Sequence, residues 1–505
     1  MRFTRSSRRG PWAGALLAAT AALVLQGCDK GGGGGNGGGS GGAGTDTAAA
    51  PAATAGSGDS TATVAFRNSV TGVQPGWTGP VFQLSHDYPD TFTACTPATC
   101  PWLSIPVDTS TTSWASWSPY LQSALNYLVQ GQTTNLNDST GWQTTVDGAT
   151  RWFHVPWMAY DTEHGREFIH GTTNERTAGI SAFHGNARLT AAAAARQVPT
   201  ILVGRNSLPG VRGVPGGASG DTLFETWSVG MYNAPGGYAI GKAVPTNGRP
   251  RAGGPNNLAL PARFPLGTMV VKLLFTSASA RSVPYLINSP EWIVDRHDTL
   301  GNGQYDSIAR SPAPVHLVQM DVAVRDDRTS IGWVYATYAY DGRLPGANWW
   351  QRMAPVGVQW GSDPLTWPAV DSAQSKPLTQ SSIAGARNQH LGCAGRLAGP
   401  VDNPKSSCTS CHGGAYVPSP VGTVATSSNS VPIFGFARQC AVVSPQNIAY
   451  FGNVAYPGAY PAWPGVSGPQ INLDTSLQLQ VAYKEYANFL GTTGTTANTV
   501  TTATP

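Results

Sequence analysis

Residues 315–324 read Val-His-Leu-Val-Gln-Met-Asp-Val-Ala-Val, and this stretch decides the fold class. It is rich in β-branched and apolar residues. The two-residue period of a strand assigns Val315, Leu317, Gln319, Asp321 and Ala323 to one face. Runs of the same character lie on both sides. Residues 268–275 (TMVVKLLF) come before it, and residues 332–340 (GWVYATYAY) follow and stop at the turn dipeptide Asp341-Gly342. Residues 356–360 make a further short strand. No helical pattern alternates with these strands, so an antiparallel sheet is expected rather than a parallel one. The fold class is therefore mainly β (α+β), with a few peripheral helices.

Two helices are legible. Ser118 and Pro119 read as the N-cap and first position of one, with Leu121, Leu125 and Leu128 as its apolar stripe and Gly131 as its stop. Asp474 reads as the N-cap of another that runs to Leu490. Residues 187–196 allow a third. Residues 232–238 (YNAPGGY) read as a hairpin turn between two strands. Residues 298–306 (DTLGNGQYD) hint at a calcium loop. Leu300 stands where an oxygen ligand is needed and Ala309 cannot supply the closing carboxylate, so a polar turn is expected there.

The flanks differ in composition. Arg2, Arg5, Arg8 and Arg9 precede a short apolar run over 11–25, the layout of an export signal and too short for a comfortable membrane span. Residues 31–44 (GGGGGNGGGSGGAG) and the Ala/Thr/Ser-rich run after them have nothing to pack. The expected organisation is a signal at 1–27, a disordered linker at 28–65, one β-rich unit at 66–490 and a disordered Thr-rich tail at 491–505. Charged residues make up only 11% of the chain and the net charge is +4, with several arginines in the signal. No basic block is present, so nucleic acid is not an expected partner.

Late in the β-rich unit stands Cys408-Thr409-Ser410-Cys411-His412. This is C-x-x-C-H, the attachment signature of a c-type haem. Two thiols at this spacing can form thioethers to one porphyrin, and the adjacent histidine then reaches the iron as proximal ligand. The competing reading is a chance match or half of a zinc site, and zinc needs further Cys or His at short spacing, which do not follow. One covalently bound haem c is expected, held by Cys408 and Cys411 with His412 on the iron.

No Met or His follows His412. A sixth iron ligand, if there is one, must come from upstream. Residues 151–186 hold His154, His164, His170 and His184, four of the nine histidines. His170, then His154, are the candidate distal ligand or acid/base, and Glu167, Arg166 and Met158 are candidates for the distal pocket. Each histidine also reads as a structural one. The charged residues also read as an ion-pair network that fixes a loop.

Leu25-Gln26-Gly27-Cys28 resembles the lipobox of bacterial lipoproteins, which implies lipidation of Cys28 as the first mature residue. Of seven cysteines, four then remain: Cys95, Cys100, Cys393 and Cys440. An even remainder in an exported chain suggests two disulfides. Cys95–Cys100 as a local loop and Cys393–Cys440 as a clasp around the haem motif is the favoured one of three pairings. The alternative is that some are buried thiols.

Phe264-Pro265-Leu266-Gly267-Thr268 runs into Val270, Val271 and Lys272, is followed by residues 332–335 (GWVY), and precedes a late C-x-x-C-H. That order is similar to the P-460-type cytochromes and their β-rich cytochrome c′ relatives over residues 264–414. The resemblance implies a sheet protein with one c-haem, His below the iron and an open distal face. Some members carry a lysine–haem cross-link and oxidise hydroxylamine, and others bind small gases. Lys272 is the lysine on the matching strand, and it reads equally as an exposed strand residue. The whole chain also resembles exported bacterial mono-haem cytochrome c lipoproteins, which implies haem binding and electron transfer.

The expected function is that of a mono-haem c-type cytochrome, anchored by its N-terminal lipid in the cell envelope, periplasmic or outer-membrane, and exchanging electrons with a redox partner protein. The alternative is a haem enzyme or gas-binding protein with an open distal face, suited to N-oxide or peroxide chemistry with an acid/base from the His-rich segment.

Overall fold

A computed structural model describes residues 87–133, 142–154, 173–179, 223–243, 263–281, 283–299, 305–364, 377–385, 391–392, 395–402, 407–417, 451–454 and 471–479. A hairpin of β1 (Thr145–Val146) and β2 (Ala149–Thr150) stands apart from the main sheet. That sheet is built from β3 (Phe153–His154), β4 (Thr173–Gly179), β5 (Leu223–Tyr232), β6 (Met269–Thr276), β7 (Glu291–Thr299), β8 (Tyr305–Arg325), β9 (Trp333–Tyr340), β10 (Met353–Gln359) and β11 (Ser381–Ile383). A last pair joins β12 (Tyr416–Val417) to β13 (Ile471–Asn472). The described helices include α1 (Trp114–Val129), α2 (Ala234–Ala243) and α3 (Cys408–His412). Every described strand pairing is antiparallel. The mainly β, antiparallel expectation holds.

The main sheet runs β11-β10-β9-β8-β6-β5-β3, with β4 also on β5 and β7 on β8. Directly opposed residues share a face, so the register defines two surfaces. Met269, Val271 and Leu273 lie with Met320, Val322, Val324, Val334, Ala336 and Tyr338 on one. They form the largest apolar cluster together with Leu121, Leu125 and Leu128 of α1. Trp117 of α1 stacks on Trp360 with centroids 4.0 Å apart, and Tyr338 Oη donates to the Leu121 carbonyl at 2.9 Å. The other surface carries Tyr232, Val270, Lys272, Asp321, Ala323, Tyr335 and Thr337. A second apolar cluster of Tyr232, Phe264, Trp333 and Tyr335 forms there with Ile240 of α2.

β8 extends ten residues before the run that predicts it, and its face assignment is only half right. Gln319, Asp321 and Ala323 share a face as expected. An irregularity between Leu274 and Phe275 of β6 pairs Leu317 with Phe275. Leu317 and Val315 therefore join the α1-backed core. A one-residue shift in pairing exchanges the two faces of a strand.

Three further expectations need correction. Helix α1 starts at Trp114 with Ser113 as cap, so Pro119 lies inside it. This close to the N-terminus Pro forfeits one intrahelical bond, and the buried Trp117 and Tyr120 extend the apolar face to compensate. Residues 232–238 are not a hairpin turn but the junction from β5 into α2. The Asn233 carbonyl accepts from Gly237 N at 2.7 Å and its side chain accepts from Met269 N at 2.9 Å, so Asn233 caps the helix and ties it to β6. Asp474 is not a helix cap. Residues 477–479 are helical, and the Ser476 hydroxyl accepts from Leu479 N at 3.2 Å.

Of residues 298–306, Thr299 pairs with Tyr305 at the ends of β7 and β8, and residues 300–304 lie outside the described residues. Residues 187–196, the signal, the linker and the tail lie outside the described residues.

Candidate functional site

The C-x-x-C-H segment forms helix α3, which begins because Ser407 caps it: its hydroxyl accepts from Ser410 N at 3.3 Å. Cys408 N donates to the Leu397 carbonyl at 3.0 Å and anchors the entry to the helix. On one helical turn, positions i, i+3 and i+4 share a side. Cys408, Cys411 and His412 accordingly line one cavity. The intervening residues are tied elsewhere: the Ser362 hydroxyl lies 2.7 Å from Thr409 Oγ1 and 3.3 Å from Ser410 Oγ. Arg396, fully buried, donates to the carbonyls of Ser362 and Asp363 at 2.7 and 2.9 Å and holds that contact in place.

The cavity lies between α3 and the sheet surface opposite α1. Tyr232, Val270, Ala323, Trp333 and Tyr335 form its apolar floor, and Thr475, Ser476 and Gln478 contribute a wall. About 940 Å³ in and around it is free of protein atoms, counting the space open to solvent. A polar row crosses the floor beside the aromatic one: Asp321 of β8 stands between Lys272 of β6 and Thr337 of β9. Asp402 completes it from the loop before α3. Thr337 Oγ1 lies 4.0 Å from Cys408 Sγ.

His412 is oriented from two sides. Its Nδ1 lies 2.9 Å from the Thr475 carbonyl, and its ring packs on Tyr335 with centroids 4.9 Å apart. A carbonyl only accepts, so Nδ1 is the protonated nitrogen and Nε2 carries the lone pair. Chain routing explains the contact. Ala415 N donates to the His412 carbonyl and Leu473 N to the Ala415 carbonyl, at 3.1 and 3.0 Å. The β12–β13 pair thus delivers residues 474–475 to the imidazole.

Burial pushes the Cys408 thiol well up, and the neighbouring Asp321 and Asp402 carboxylates add to this. Asp321 itself is raised to about 7, by burial first and by Asp402 second. Neither Cys408 nor Cys411 is in a disulfide. Two thiols and an imidazole lone pair on one helical turn, facing an aromatic-floored cavity, are the donor set that a covalently attached haem requires. The residues present fit that group.

Of the candidate distal residues, only His154 is among the described residues, and the structure does not bring it to the cavity. It pairs with Met231 on the α1-backed face, is buried, and its Nδ1 lies 2.8 Å from the Gly230 carbonyl. Burial lowers it to about 4. His170, Arg166, Glu167, Met158, Cys28, Cys393 and Cys440 lie outside the described residues. Cys95 and Cys100 form a disulfide.

Sequence reasoning passed over Asp402, Tyr335 and Thr475; Lys272, singled out on its strand, lines the cavity. Gln319 and Asp321 on one face of an otherwise apolar strand were the legible signal for a polar floor. No family model, no curated protein and no solved structure matches the chain.

Proposed function

We propose that this chain is a mono-haem c-type cytochrome that transfers electrons in the cell envelope. The observation that carries the reading is the convergence of Cys408, Cys411 and His412 on one cavity, with His412 Nδ1 committed to the Thr475 carbonyl. Cys408 and Cys411 would hold the haem by thioethers, and His412 Nε2 would ligate its iron. When bound, the haem supplies a one-electron valence change. The chain's own part is to shelter it against Tyr232, Trp333 and Tyr335 and to fix the imidazole. Among the described residues the cavity is partly open, which suits exchange with a docked redox partner protein. His170, with Arg166, Glu167 and Met158, remains the candidate for the opposite side of the iron.

The export signal, the lipobox-like Leu25-Gln26-Gly27-Cys28 and the Gly-rich linker support an envelope lipoprotein, periplasmic or outer-membrane, anchored through lipid on Cys28. The intact mass of the purified protein tests the assignment. Expression in a host that matures c-type cytochromes should add one haem to the polypeptide. A C408S/C411S variant should lose that addition, and a wild-type mass without it would refute the reading.

A second reading is favoured by the polar floor. Lys272, Asp321 and Asp402 share the cavity with the thiols, and charged, protonatable groups beside a haem suit small-molecule binding or catalysis. Carbon monoxide binding to the reduced protein separates the two: an open iron face binds it, and a doubly ligated one does not.

A further inference from the structure

The cavity floor carries a carboxylate in mid-sheet, where a strand facing a core ordinarily carries an apolar side chain. Asp321 stands on β8 between Lys272 of β6 and Thr337 of β9. Each of its oxygens lies 2.8 Å from Gln319 Nε2, and Thr337 Oγ1 donates to Oδ1 at 2.8 Å. The same Nε2 lies 2.7 Å from Asp402 Oδ2. An amide nitrogen has two hydrogens to give, so three close oxygens share them and one Gln side chain tethers two carboxylates side by side.

This arrangement is built rather than incidental. Asp402 Oδ2 also accepts from Gly399 N at 3.0 Å, and Gln319 Oε1 accepts from Val401 N at 3.2 Å. A Cβ on Gly399 would stand 2.0 Å from the Gln319 amide and would displace it from this position. The groups that face Asp321 are Asp402 from the preceding loop, Lys272 from β6 and the Cys408 thiol from α3. Two carboxylates held on one amide nitrogen in a half-buried site favour one proton over two charges. Asp402 and burial push Asp321 toward protonation, and Lys272 opposes them. The site is thus poised to change its proton occupancy when a neighbouring charge changes.

We propose that Asp321 couples proton uptake to electron uptake in this cavity. The proposal rests on the haem reading above. Asp321 takes one proton from water as one electron arrives from a donor protein, forming a carboxyl O–H. It returns that proton to water as the electron leaves to an acceptor protein. The half-buried site then gains no net charge in either direction, which avoids the cost of an uncompensated charge away from bulk water.

The test is the reduction potential of the haem-loaded full-length protein, measured from about pH 5 to 9 across the neutral range in which a shifted carboxyl titrates. Wild type, D321N, D402N and the exposed-site control D108N are compared. The wild-type potential should fall as pH rises through neutral, by up to a tenfold change in the reduction equilibrium per pH unit. D321N should flatten that dependence. D402N should move it to lower pH, because a neighbouring negative charge is gone, and D108N should follow wild type. A D321N protein that keeps the wild-type dependence overturns the proposal and assigns the proton to another group, as does a wild-type potential independent of pH.

If D321N does not load haem, the reduced-minus-oxidised infrared spectrum of the wild-type protein decides. A carboxylic acid C=O band that grows on reduction and shifts in D₂O supports the coupling, and its absence overturns it. A wild-type chain without haem removes the cytochrome reading and this proposal together. A loaded protein with a pH-independent potential removes the proposal alone.

Discussion

The imidazole Nδ1 of His412 lies 2.9 Å from the carbonyl oxygen of Thr475, a residue that holds a left-handed backbone at φ 65°. Asp474 before it is left-handed as well, at φ 49°. Each such residue without glycine costs roughly 1–2 kcal/mol. The turn persists because its neighbours over-determine it. Asp474 accepts from Phe264 N at 2.8 Å and Trp333 Nε1 at 3.0 Å, and Thr475 Oγ1 accepts from Tyr335 Oη at 2.8 Å. Residues separated by more than two hundred positions in sequence thus aim one carbonyl at the histidine.

Asp474→Ala removes both acceptors and leaves two buried N–H groups without their partners. The expected loss is about 1–3 kcal/mol per group. Urea denaturation of the variant against wild type measures it. A loss below about 1 kcal/mol would mean that the turn holds without the clamp.

His154 should make the fold sensitive to mild acid. Burial holds its folded pKa near 4, below the ordinary 6.5. The unfolded chain therefore takes up the proton first. The stability is intact above about pH 6.5 and declines as pH falls toward 4, by up to about 3 kcal/mol if the full shift is expressed. His154→Gln, which can still donate to the Gly230 carbonyl, should flatten this window in pH-dependent denaturation. An unchanged slope would place the acid sensitivity elsewhere.

Asp321 has the opposite sign. Its folded pKa is raised to about 7 from 3.8. Stability from this group is fully present below 3.8 and is lost as pH rises through 7. Asp321→Asn should therefore be more stable than wild type above neutral pH and no more stable in acid. Thermal melts at the two pH extremes test this, and a variant less stable at alkaline pH would contradict it. A residue that destabilises its own fold at working pH is the pattern expected of a functional group.

Asp326 fastens α1 and the preceding turn to the end of β8. It is buried, accepts from Tyr120 Oη at 2.9 Å, and pairs with Arg328 at 2.7 Å. Arg328 in turn donates to the carbonyls of Trp102, Leu103 and Ile105. Asp326→Ala leaves the buried Tyr120 hydroxyl without its acceptor and the partly exposed Arg328 without its carboxylate, which costs about 1–3 kcal/mol. Chemical denaturation should show a loss of that size, and a loss under about 1 kcal/mol would show that Arg328 finds compensation.

The strands were legible because residues 268–275, 315–324 and 332–340 are apolar runs of strand length with β-branched and aromatic side chains. The chemistry at Cys408, Cys411 and His412 was legible because a fixed spacing on one turn carries it. The start of α1 was misplaced because Pro119 mimics a first helical position, although the buried Trp117 precedes it. The YNAPGGY run was misread because Asn, Pro and Gly serve turns and helix starts alike, and only its bonds to Gly267 and Met269 decide. Thr475 could not be found, because the β12–β13 pairing alone brings it to His412. Lys272 could be placed on a strand but not on a face shared with Cys408, since that depends on where the loop after β11 returns.

The most direct measurement of the central claim is the visible absorption spectrum of the purified full-length protein, made in a host able to mature c-type cytochromes, as isolated and after reduction. The account predicts sharp α and β bands on reduction and a chromophore that stays with the polypeptide through denaturation and acid extraction. A protein with no haem absorption, or with haem that extracts away, would contradict it.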